Sequence, residues 1–225
     1  MKRTLFGMVL LGVLISNAAH AIVITAPTGL APGTQYRLAF VTSTTRNATS
    51  TNIADYNAFV TGVANTIPQL AALGTTWTAI GSTATVDARD NTGTNPSSTG
   101  VPIYLLNNTK LADNNADLWD GTIDTAFSVL QNGNQIAPIF VVYTGSNTDG
   151  TGFAGRQLGS PSAEYGNVGD VGNLWITDNL QPNTALTPMF AISGVLTAPV
   201  PLPAAAWLFG SALGVMGVMR RKITG

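Results

Sequence analysis

Alternating apolar and polar positions at Tyr36-Arg37-Leu38-Ala39-Phe40-Val41 predict a strand with one buried face. Next, Ile53, Tyr56, Val60 and Val63 recur at helical spacing, so residues 52–64 predict an amphipathic helix. Asn52 stands where it can cap that helix, and Asp55 complements the positive end of its dipole. Gln69 to Leu73 adds a helical turn that Gly74 stops. Trp77 to Ile80 and Val101 to Leu106 read as strands, with Pro102 favouring an edge for the second. Between them, Asp90 to Gly100 is rich in Asn, Thr, Ser, Gly and Pro and reads as a loop.

Further along, Ile139 to Tyr143 is apolar on both faces and predicts a buried strand. A long glycine-rich stretch follows, from Gly145 to Gly172, with little periodicity. Leu174-Trp175-Ile176 returns to the core, and Met189 to Leu196 predicts the closing strand. Strands scattered around one early helix predict an α+β fold, with a mixed, mostly antiparallel sheet and long irregular loops. Trp77, Trp119 and Trp175 each sit in an apolar stretch, which predicts burial rather than sugar stacking.

The two ends are patterned differently. Lys2-Arg3, an uncharged apolar run from Leu5 to Ile15, and Ala19-His20-Ala21 have the three parts of a secretory signal cleaved after Ala21. The apolar run is about half the roughly 20 residues that a membrane span needs. Near the other end, Val200-Pro201-Leu202-Pro203-Ala204 leads into an uncharged stretch ending at Met219, followed by Arg220, Arg221 and Lys222. That stretch approaches the minimum of about 17 residues for a transmembrane helix. The basic cluster stops it at the cytoplasmic face, so the body faces outward. The organisation expected is a signal peptide (1–21), an extracytoplasmic domain (22–199) and a C-terminal sorting segment (200–225).

Charged residues are only 9% of the chain, against roughly 25% in an average soluble protein. Five of the ten Lys and Arg lie in the terminal segments, which leaves five against eleven Asp and Glu and a body of net charge −6. Such a body repels phosphate backbones, so nucleic acid is not expected as a partner. The absence of cysteine excludes disulfides, thiol nucleophiles and Cys-based metal sites. The only histidine, His20, leaves with the signal, so no His-based catalytic relay is available. A carboxylate pair could still serve a glycosidase, but nothing in the sequence selects two of the eleven.

One cluster has the donor chemistry of a hard cation such as calcium. Asp113, Asn115 and Asp117 put oxygen at alternate positions, and Asp124 falls at the twelfth place of a loop begun at Asp113. The sixth place holds Leu118 where a calcium loop needs glycine, so a helix start or turn carrying solvated side chains is the competing reading. Asn147-Thr148-Asp149-Gly150 reads as a turn.

The proline motif, short apolar span and basic end resemble the PEP-CTERM sorting signal of Gram-negative bacteria in its VPLPA variant. The resemblance covers about the last tenth of the chain. It implies recognition by an exosortase-type membrane protease, with delivery to the cell surface or an exopolysaccharide matrix. Leu202 stands where the named motif has glutamate, which leaves the subtype of sorting enzyme and the scissile bond open. A plain C-terminal membrane anchor is the alternative.

Within the body, Ala54 to Phe59, Val101 to Leu106, Leu118-Trp119-Asp120-Gly121 and Tyr143 to Gly150 follow an order similar to that of endostatin-like domains of the C-type-lectin-like superfamily. The resemblance implies a mixed fold with few helices and long irregular loops. Endostatin's disulfides, zinc-binding histidines and basic surface have no counterpart here, so no ligand is carried over. Three function classes follow: a non-enzymatic exported surface or matrix protein, a lectin-like calcium- or carbohydrate-binding module, and a secreted hydrolase.

Overall fold

The computed structural model describes residues 22–138 and 140–200. The signal residues Ala19 and Ala21, the motif from Pro201 to Ala204, the expected transmembrane helix, the basic cluster Arg220, Arg221 and Lys222, and Ile139 of the expected buried strand lie outside them. Among the described residues no helix is long and apolar enough to cross a membrane.

The fold is α+β, with mostly antiparallel sheets and few helices. Its centre is β1 (Gln35–Val41). On one side β1 pairs in parallel with β3 (Ile103–Leu105), which continues antiparallel to β4 (Lys110–Ala112). On the other, the second half of β1 pairs antiparallel with β8 (Phe190–Ser193) and its first half with β9 (Leu196–Thr197). β2 (Trp77–Ala79) closes the far edge against β8. The expected closing strand is therefore two strands, interrupted around Gly194.

Helix α1 (Ile53–Asn65) forms as its periodicity predicts. The Asn52 side chain accepts from the Ala54 amide at 3.1 Å, and Tyr56, Val60, Val63 and Ala64 are buried. Two short helices, α2 (Pro68–Ala71) and α3 (Ala88–Asn91), flank β2 in sequence. The last two residues of α3, Asp90 and Asn91, fall in the stretch expected to be loop. β3 is not an edge strand but lies between β1 and β4; Pro102 precedes it, and the Pro102 carbonyl accepts the Arg37 amide at 2.9 Å. A proline just outside a strand removes no ladder donor.

A second sheet sets β6 (Ser162–Asn167) between β5 (Val141–Tyr143) and β7 (Asn179–Pro182). In β5 only Val142 and Tyr143 are fully buried, while the preceding Phe140 is 45% exposed. A 3-10 turn, Asn173–Trp175, crosses β6 so closely that a Cβ on Gly166 would lie 1.9 Å from the Trp175 carbonyl oxygen. Only glycine fits that crossing, and its presence hides the strand from a sequence reading. The two sheets meet through aromatic side chains. Phe127 stacks on Phe190 at 4.2 Å, and Trp175 lies 5.8 Å from Phe190 and 6.0 Å from Trp119. Trp77, Trp119 and Trp175 are all buried, as their settings predict.

β1 departs from the expectation of one buried face, since Tyr36 through Val41 are buried on both. Arg37 is the cause of the misleading alternation. Its Nη1 donates to the Thr92 and Ser193 carbonyls at 2.9 and 2.8 Å, and its Nη2 to the Gly93 carbonyl at 3.1 Å. Among the described residues Arg37 has no carboxylate partner. The guanidinium is thus spent on backbone acceptors that a loop and a strand end leave without donors.

Two predictions follow from this core. Arg37→Met keeps the aliphatic stem but strips donors from two buried carbonyls, each worth about 1–3 kcal/mol, and from the more exposed Gly93 carbonyl, offset in part by relief from burying a cation. The expected loss is about 3 kcal/mol in urea unfolding; a loss near 1 kcal/mol, one ordinary hydrogen bond, would show that the carbonyls find other partners. Burial also lifts the Tyr56 and Tyr143 phenols to about 12. Because the folded values exceed the unfolded one near 10, this stability is complete below pH 10 and is lost as pH rises through 12. Phenolate absorbance from these two tyrosines should therefore appear only together with loss of the far-ultraviolet dichroism of the fold.

Candidate functional site

The acidic cluster is assembled at the outer edge of the larger sheet. β4 carries Lys110, and the Asp124 amide donates to the Leu111 carbonyl at 2.9 Å, which holds Asp124 beside that strand. After β4 the chain turns into α4 (Asn115–Leu118), capped by Asn114, whose side-chain oxygen accepts from the Ala116 and Asp117 amides at 2.9 and 3.1 Å. This cap starts the helix and leaves Asp117 in its first turn, facing back to Asp113. The Asp113 amide donates to Asp117 Oδ2 at 2.6 Å.

Carboxylate oxygens of Asp113, Asp117 and Asp124 lie within 4.8 Å of one another. Two oxygens that share one calcium at 2.3–2.6 Å are at most about 5 Å apart, so the spacing meets that requirement. Asn115 does not join them. It is buried, and its Nδ2 donates to the Asn95 and Ser98 carbonyls at 3.2 and 3.1 Å, tying down the loop before β3. Of the four candidate ligands, then, three converge and the fourth is structural. Leu118 in α4 occupies the place where a calcium loop turns sharply, so the backbone is helical there instead.

The cluster already holds a cation. Lys110 Nζ contacts Asp113 Oδ1 and lies 3.1 Å from Asp124 Oδ2. Hydrogen bonds donated to Asp113 first, then to Asp124, hold the ammonium pKa above the ordinary lysine range. A divalent ion would have to compete with this internal ammonium. The pair is also partly open to water, with Asp113 63% and Asp124 42% exposed.

The other body cations are engaged as well. Arg46 lies over the Tyr56 ring at 3.9 Å and donates to the Asp55 carbonyl at 2.6 Å. Arg89 sits between Asp87 and Asp149 at 3.9 and 3.8 Å, and Arg156 pairs with buried Glu164 at 3.2 Å. Burial alone would lift the Asp149 pKa, yet the Thr151 hydroxyl and amide, with Arg89, hold it below the usual carboxylate range. Asn147 to Gly150 forms the expected turn, closed by the Gly150 amide on the Asn147 carbonyl at 3.1 Å. All five cations among the described residues therefore have at least one acceptor within the fold.

Lys110→Ala removes the internal competitor. A unit charge about 4 Å away in water-like surroundings is worth about 1 kcal/mol, so calcium affinity should rise at least roughly fivefold in a calorimetric titration. Equal affinities would show that the ammonium and the ion do not share a place. In comparisons with known proteins, no family model and no curated protein matches the chain.

Proposed function

We propose that this chain is an exported, non-enzymatic surface or extracellular-matrix protein of a Gram-negative bacterium, processed through its C-terminal segment by an exosortase-type membrane protease and associated with exopolysaccharide. The observation that carries the reading is the order of features at the two ends. A positive start, a short apolar run and a small-residue cleavage site open the chain; a proline motif, an uncharged span and a basic stop close it. The way the body ends is compatible with this order. Ala198 is held in the fold by its amide on the Thr34 carbonyl at 2.8 Å and by the Gly33 amide on its own carbonyl at 3.0 Å. Val200, the first residue of the motif, is 67% exposed two positions later. A protease acting there meets chain that has just left the sheet.

The non-enzymatic part rests on inventory. The body carries no histidine or cysteine, and its one lysine is engaged by two carboxylates. We also read the body as C-type-lectin-like; mixed sheets, one main helix and long loops fit that fold. The converging Asp113, Asp117 and Asp124 favour, as second reading, a lectin-like module that takes calcium once Lys110 is displaced.

Intact-mass analysis of protein recovered from the cell surface tests the sorting half. The expected species begins at Ile22 and ends near Val200; one that retains Trp207 through Lys222 overturns it. Replacing Arg220, Arg221 and Lys222 together by Gln should let the segment slip through and release unprocessed protein, since a charge at mid-membrane costs about 2.5–3.5 kcal/mol on insertion scales and three form a firm stop. Pro201→Ala with Pro203→Ala should instead leave protein anchored and uncut. Wild-type processing of both variants would favour the plain anchor.

A further inference from the structure

An open groove of about 650 Å³ runs between α1 and β2, on the opposite edge of the larger sheet from the acidic cluster. We propose that it binds a neutral, hydroxyl-rich glycan segment. The inference builds on the matrix reading and adds to it a binding surface and a ligand class.

Three observations carry it. The first is chemical. No residue lining the groove ionises, and its surface is mostly apolar, as the C–H faces of a sugar require. Its polar groups include the amide of Asn65, the hydroxyl of Thr76, and the hydroxyls of Thr61, Thr75 and Thr78, which donate to backbone carbonyls and keep lone pairs to accept with. Amides and hydroxyls both donate and accept, which complements sugar hydroxyls, and no ionised group stands in the lining to pair with a phosphate, carboxylate or ammonium. A body of net charge −6 whose cations are all engaged also repels an acidic polysaccharide.

The second observation disfavours a peptide added as a strand. β2 is an edge strand, the usual template for strand addition. Three of its outward groups are already used by side chains. Thr61 Oγ1 donates to the Trp77 carbonyl at 2.9 Å, the Ala79 amide donates to Asn57 Oδ1 at 2.9 Å, and Asn91 Nδ2 donates to the Ala79 carbonyl at 2.8 Å. Asn57 and Asn91 are further locked together by paired amide bonds of 2.8 and 2.9 Å. A peptide strand would have to break this clasp, whereas a ligand that reads side chains leaves it intact.

The third is Gly62. It lies in the interior of α1, lines the groove, and a Cβ there would meet nothing within 4 Å. Glycine inside a helix is destabilising, and here no neighbour requires it. Its absent side chain keeps open the middle of a floor that runs about 12 Å from Asn57 to Asn65. The cost to the helix is explained if something occupies that floor. A groove of this size lies within the range of about 300–1,000 Å³ that small-molecule sites occupy.

The test is calorimetric titration of the full-length chain in detergent with cellohexaose, maltohexaose and mannohexaose, and with an oligogalacturonate as the charged comparator. At least one neutral hexasaccharide should bind. Gly62→Gln, which fills the groove and favours the helix, should weaken that binding roughly tenfold or more without lowering the melting temperature. Gly62→Ala should raise the melting temperature, showing that glycine is not there for stability. Failure of all three neutral sugars, equal binding by Gly62→Gln, or preference for the oligogalacturonate each overturns the groove. Co-fractionation of native protein with the matrix reports separately on the broader reading. It can persist when the hexasaccharides fail, and hexasaccharide binding can persist in chains whose C-terminal segment is not processed.

Discussion

The guanidinium of Arg37 holds three stretches of backbone that lie far apart in the chain: its own strand, the turn at Thr92 and Gly93, and the end of β8 at Ser193. The need behind it is general. With short strands and long loops, this domain buries many peptide groups that no ladder serves, and it has no disulfide to fix the loops. Side chains do the work. The Leu38 amide donates to Ser193 Oγ, Asn115 secures residues 95–98, and Asn57 with Asn91 completes the edge of β2. This explains a composition in which Asn, Thr and Ser are abundant and charge is scarce. Uncharged polar side chains can be buried beside backbone at far lower desolvation cost than ions.

That same economy set what the sequence revealed. Features governed by one local rule were legible: the amphipathic α1 with its Asn52 cap, β1, and the burial of the three tryptophans. Features governed by contacts between distant residues were not. β6 carries Gly166 and a buried Glu164, both poor strand signals, yet one is required by the Trp175 crossing and the other is paired with Arg156 and Thr177. Arg37 looked like the polar side of a half-buried strand because nothing near it in sequence announces three carbonyl acceptors. Asn115 looked like a ligand for the parallel reason.

Of the candidate cation site, the alternation of oxygen-bearing residues pointed to Asp113 and Asp117 and the twelfth loop place to Asp124, and these three carboxylates do lie together. The same spacing missed Lys110, three residues upstream, since sequence spacing alone does not tell a strand lysine from a solvated one. The α1–β2 groove was invisible for a different reason. Its signature is an absence, a helical glycine with empty space above it, and emptiness can be read only after the neighbours are placed. The two edges of the larger sheet thus differ in character, one ionic and self-compensated, the other uncharged and open.

The pairing of β1 with β8 and β9 has a consequence for how the chain comes into being. Synthesis proceeds from the N-terminus, so β1 emerges about 150 residues before the strand that covers one of its edges. Closing so long a loop costs entropy that nothing repays until the last strand arrives, and contacts this distant make folding slow. Until then Leu38, Phe40 and Val41 lack that partner, and Arg37 lacks one of its three acceptors. The domain is therefore kept from completing itself until almost its whole length has been made. On the export route proposed above, the chain would gain its delay from topology alone.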